Sequence, residues 1–157
     1  MKKLITAVIL GSTLTAFFYS CSKKERIICA ADPVSTYGAF RIVDQSTGTD
    51  LFFADHPKYS LKDIYAFKTK DLARHDTIRP IVFGKKETIQ AFILPLNFTK
   101  SRDTLILKIA NTAEDKFIYT TKKATSQCSL NELDKIYLNN IEATYLKDQN
   151  VYILKKP

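Results

Sequence analysis

The residues best equipped for chemistry in this chain are three cysteines, Cys21, Cys29 and Cys128, and two histidines, His56 and His75. Each histidine has a carboxylate beside it, in Asp55-His56-Pro57 and in Arg74-His75-Asp76. A histidine next to a carboxylate is the raw material of a general base or a metal ligand. Adjacent residues in a turn usually point apart, however, and the chain has no His-x-His, Cys-x-x-Cys or His-Glu-x-x-His spacing. Both histidines therefore read as polar loop residues, and the sequence assigns no catalytic residue, metal ligand or cofactor. No Gly-x-Ser-x-Gly elbow is present, and four glycines are too few for a Gly-rich phosphate cradle. Carboxylates occur throughout, but nothing selects a pair that would flank a glycosidic bond. An enzyme is the less natural reading, left open rather than excluded.

Cys29 and Cys128 form an even pair once Cys21 is set aside. In an oxidising compartment such a pair suggests a disulfide closing a loop of about 100 residues. The chain-entropy model values that closure at about 4.7 kcal/mol, an upper figure because strain subtracts from it. The alternative is two small buried thiols that never meet.

Cys21 has a different setting. Lys2 and Lys3 precede an apolar run from Leu4 to Phe18, then Tyr19-Ser20-Cys21. A charged start, an apolar stretch and a small residue before the cut are the layout of a secretory signal. The cysteine after Ser20 makes this segment resemble a bacterial lipoprotein signal, with Cys21 as the lipidated first residue of the mature chain. Phe18 stands where the usual pattern has leucine. The run of 15 residues is short of the roughly 20 a membrane-spanning helix needs, which disfavours an uncleaved anchor. Ordinary signal cleavage without lipid is the other alternative.

Removing the first 20 residues leaves 137, enough for one domain with a real core. The formal charge falls from +8 to +6 because Lys2 and Lys3 leave with the signal. The basic residues come in scattered pairs, such as Lys85-Lys86 and Lys155-Lys156, and not as a stripe with interleaved aromatics. That argues against a nucleic-acid partner and fits a surface held beside an anionic membrane.

Residues 21–33 read as the lipidated N-terminus and tether, opening with the polar stub Ser22 to Arg26; residues 34–157 read as the folded domain. Ile27-Ile28-Cys29-Ala30-Ala31 has the composition of a segment that packs on the fold. Strands are expected at Tyr37–Asp44, Leu51–Phe53, Ile64–Thr69, Thr77–Phe83, Thr88–Leu94, Thr104–Ala110, Phe117–Thr121, Asp134–Leu138 and Val151–Lys155, with Ile141–Tyr145 as a weaker candidate. Gly84-Lys85-Lys86 marks a hairpin turn, and Asn111 to Asp115 the loop of a second hairpin. Period-two spacing places Leu105, Leu107, Ile109, Phe117, Tyr119, Ile136, Leu138, Val151 and Ile153 in the core. Helical signals are confined to Ser60–Asp63 and Ser129–Leu133; Ser129-Leu130-Asn131-Glu132 has capping-box spacing but reads as one turn rather than a helix.

Many short strands rich in Ile, Phe, Tyr, Thr and Val imply an all-β domain. The expected form is a small antiparallel β-sandwich, Ig-like or transthyretin-like, with a barrel as the alternative. Ser20-Cys21-Ser22, Arg41-Ile42-Val43-Asp44, Thr47-Gly48-Thr49-Asp50-Leu51-Phe52 and Asp103-Thr104-Leu105 together make the chain resemble the small β-sandwich lipoproteins of Bacteroidota envelopes. That resemblance implies an outer-membrane protein held in the lipid bilayer through Cys21. A single acid in Ser22-Lys23-Lys24-Glu25-Arg26 favours the periplasmic side over the cell surface. Asp76-Thr77-Ile78 and Asp103-Thr104-Leu105 also resemble the O-glycosylation acceptor of these bacteria, though an Asp before a strand is equally ordinary.

The functional expectation is a membrane-anchored, non-enzymatic protein binding another envelope protein or a glycan. A small periplasmic hydrolase, or an inhibitor of one, is the alternative, and a structural spacer in a larger assembly is a third. The chain has 8 tyrosines and 10 phenylalanines, and Tyr65, Phe67, Tyr137 and Tyr152 fall out of phase with the apparent core face. Aromatics on an outer face could stack on sugars or fill a partner's groove.

Overall fold

A computed structural model describes residues 37–71, 73–85, 89–124 and 131–157. Ten strands make two sheets with no helix among the described residues. The first sheet has the order β3-β4-β1-β10-β9, from β1 (Tyr37–Asp44), β3 (Ile81–Phe83), β4 (Ala91–Pro95), β9 (Thr144–Leu146) and β10 (Val151–Lys156). The second has the order β2-β5-β6-β7-β8, from β2 (Ile64–Lys68), β5 (Arg102–Ile109), β6 (Asp115–Lys123), β7 (Asn131–Leu138) and β8 (Ile141–Glu142). The sheets do not close on one another as a barrel; the domain is a β-sandwich. Its strand pairs are antiparallel except β1 with β10, the first and last strands, which run parallel.

Alternation builds the core. Phe40 and Ile42 in β1, Phe92 and Leu94 in β4, Leu105, Leu107 and Ile109 in β5, Phe117 and Tyr119 in β6, and Ile136 and Leu138 in β7 all face the space between the sheets. Phe40 lies 5.8 Å from Phe92 in its own sheet and 5.2 Å from Phe117 across the core, so one ring couples the two layers. Gly38 is buried between them. A Cβ there would come within 2.9 Å of Leu96 and 3.3 Å of Leu133 and Ile136, so the small residue permits close approach.

Several expectations are corrected. Leu51–Phe53 is not a strand. The Asp50 carboxylate accepts from the amides of Phe52 and Phe53 at 2.8 and 2.6 Å, and this local bonding wins over a ladder. Asp50 also pairs with Arg41 at 2.6 Å, and Leu51 and Phe52 still reach the core. Asn131–Leu133 belongs to β7, not to a turn, because it pairs with Thr121–Lys123 past a bulge in β6; Ser129 and Leu130 lie outside the described residues. The Ser60–Asp63 segment is one turn, closed by the Ser60 amide donating to Asp63 Oδ2 at 2.9 Å. Ile141–Tyr145 divides, β8 completing the second sheet and β9 joining the first.

Ile153 is not in the core. The register Phe40 with Tyr152, Arg41 with Ile153 and Ile42 with Leu154 turns Tyr152, Leu154 and Lys156 inward. Val151 is buried, but on the outer side of its sheet. β10 is apolar on both faces in Val151-Tyr152-Ile153-Leu154, so alternation alone does not fix its phase. The tie is broken by Lys156, whose buried ammonium meets Asp115 Oδ2 of the opposite sheet at 2.6 Å. Asn139 donates to the other oxygen of Asp115 at 2.7 Å.

Candidate functional site

The outer face of the first sheet is apolar where polar side chains would be ordinary. With Gly38 and Phe40 turned inward, Tyr37 and Ala39 of β1 point outward. Ala39 pairs with Ile93 of β4, Ile93 with Ile81 of β3, and Ala91 with Phe83. Val151 continues the row on the other side of Ala39. Ala39 and Ala91 are short, and beside them lies a groove of about 490 Å³. Phe83 and Ile89 line one side, and Tyr145, Gln149, Asn150 and Tyr152 line another. Glu132 and Leu133, from the start of β7, also contribute. The volume is in the range that holds a small ligand or a few side chains of a partner.

Local sequence explains each wall. Phe83 precedes Gly84, whose φ of +89° turns the chain toward β4. A Cβ at Gly84 would sit 1.8 Å from the carbonyl oxygen of Ile89, so only glycine lets the two arms of this hairpin approach. Tyr145 and Tyr152, partners in the β9–β10 ladder with ring centroids 4.7 Å apart, share the inward side of that sheet and reach the groove at its β9 edge. Tyr145 donates its hydroxyl to Asn150 Oδ1 at 2.7 Å, and Tyr152 donates to the carbonyl of Asp134 at 3.3 Å. Burial, reinforced by the neighbouring Tyr145, Asp134 and Glu132, pushes the Tyr152 phenol up to about 12. Tyr152 is thus a fixed wall. Phe83 and Tyr145 are 59% and 46% exposed, and Ile81 beside them 62%, leaving large apolar surface in contact with water.

The residues singled out by sequence do not assemble into a second centre. Cys21, Cys29 and Cys128 lie outside the described residues. His56 and His75 occupy separate exposed loops, and neither lines the groove. The loop of His75 is organised by Asp71, whose carboxylate accepts from the Asp76 amide at 2.8 Å. That bond holds the Asp71 carboxyl below its usual value. Among the described residues no group of three or more His, Cys, Asp or Glu could hold a metal ion. Thr77 is exposed, whereas Thr104 is half-buried in β5, opposite Ile118.

Of the four out-of-phase aromatics, only Tyr152 lines the groove. Tyr65, Phe67 and Tyr137 belong to the second sheet. Phe67 is covered, with the Arg74 guanidinium 4.9 Å above its ring. Tyr37, Phe83 and Tyr145 carry the site instead. Tyr37 opens β1 and Phe83 closes the apolar β3, and neither position signals an exposed ring in the sequence. The pairing of Ala39 with Ile93 and of Ala91 with Phe83 becomes visible only when the register is known.

Comparison with protein-family models, curated proteins and solved structures finds no match.

Proposed function

We propose that this protein is an envelope lipoprotein, tethered through Cys21, that binds another envelope component, protein or glycan, without catalysing a reaction on it. The observation that carries the reading is the groove on the first sheet, with Phe83 and Tyr145 exposed at its sides. Large exposed aromatics around a preformed concavity are the usual equipment of a recognition surface. The charged stub Ser22 to Arg26 after Cys21, the net positive charge and the periplasm-facing placement belong to the same proposal. So does a Cys29–Cys128 disulfide in that oxidising compartment, which mass mapping of the unreduced protein would remove if it found both thiols free.

The experiment separates anchoring from recognition. C21A is expected to leave the membrane fraction or to stall in processing. The double variant F83S/Y145S is expected to stay in the membrane fraction but to lose its cross-links to envelope components. Equal fatty-acid labelling of C21A and the parent would end the anchoring claim. Cross-links that survive in the double variant would end the claim for the groove.

A further inference from the structure

We propose that residues 27–36 of this chain occupy the groove when no partner is bound, so that the tether competes for the site it serves. The docking stands on geometry and composition; the competition rests on the binding role proposed above. Tyr37 is the first residue of β1 and also part of the groove lining, so the preceding chain departs from the groove itself. Ten residues reach at most about 33–36 Å when extended, ample to run along a surface feature of this size.

The composition of the tether changes where docking would begin. Ser22-Lys23-Lys24-Glu25-Arg26 is polar and suits a spacer, whereas Ile27-Ile28-Cys29-Ala30-Ala31 has no charge and no strong hydrogen-bonding side chain. An apolar pentapeptide left in water gains by reaching an apolar face, and Tyr37, Ala39, Phe83 and Ile93, which all keep solvent-exposed surface, present one at the point of departure. Asp32-Pro33 supplies turn chemistry between that pentapeptide and β1. A segment linked this closely acts at an effective concentration in the millimolar range. A partner must therefore displace it, and its apparent affinity falls by the fraction of open groove.

The test is hydrogen exchange on the full chain purified from membranes in detergent. Amides of residues 27–31 are expected to exchange at least tenfold more slowly than those of residues 22–26. I27S/I28S, altering the segment, and F83S, altering the groove, are each expected to abolish that difference. Retained protection across Leu105–Ile109 certifies that a variant is folded. Cross-linking of envelope components to the groove should rise in I27S/I28S. Equal exchange of the two stretches in the parent overturns the proposal, as does protection that persists in a folded F83S protein. Protection that grows with protein concentration would place the segment in the groove of a second copy, overturning the arrangement within one chain. If the stretch is protected in cis and no component ever reaches the groove, docking stands and the binding role fails.

Discussion

Lys156 and Asp115 lie in different sheets and are nearly shut off from solvent, with side chains 10% and 5% exposed. An ion pair in that setting contributes little over apolar residues of the same shape, yet removing one partner strands a charge and costs about 3–5 kcal/mol. K156M and D115L are each expected to lose stability of that order in urea unfolding. The double variant should recover most of the loss. Additive losses would show that the residues act separately. A second residue-scale prediction concerns acid. Asp44 accepts from the Ser46 hydroxyl at 2.5 Å and the Thr47 and Ser46 amides at 2.9 Å, and these bonds lower its carboxyl from 3.8 to about 2. A depressed folded value means its contribution is complete above pH 3.8 and fades as pH falls toward 2. D44A should flatten the stability profile in that window and leave its shape above pH 5 unchanged. An identical slope in parent and variant between pH 4 and 2 would refute the assignment.

The β3–β4 hairpin shows what one backbone position does for an element. G84A forces a side chain into a left-handed φ and against the Ile89 carbonyl, so the arms must separate. The expected cost is about 1–3 kcal/mol, and exchange should accelerate in β3 and β4 while β5 and β6 stay protected. Uniform acceleration across both sheets would mean that the hairpin has no independence. The elements also show what could be read from sequence. β1 was legible to the residue, because Phe40 and Ile42 alternate with Arg41 and Val43 between clear turn signals. The β5–β6 hairpin was legible for the same reason. β10 was legible as a strand but not in phase. The break between β8 and β9 was not legible, since Ala143, the residue between them, carries no turn signal. The candidate site was legible least of all: it depends on which faces of β1, β3, β4 and β10 adjoin, and register is a long-range property.

At the scale of the molecule, the two sheets are assembled from the chain in different ways. The second sheet joins β5, β6, β7 and β8 through neighbours in sequence, with β2 added at one edge. The first sheet has β1 at its centre, bonded to β4 on one side and to β10, the last strand, on the other. The chain is synthesised from its N-terminus, so β1 is made early and β10 last. During synthesis β5 to β8 can find their partners as they emerge, since local pairings close quickly. β1 has to wait for the final residues, with its β10 edge open and no ladder able to form early on that side. The first sheet therefore stays incomplete until translation is nearly finished, and the arrival of Val151–Lys156 acts as the latch that commits the chain to the folded state.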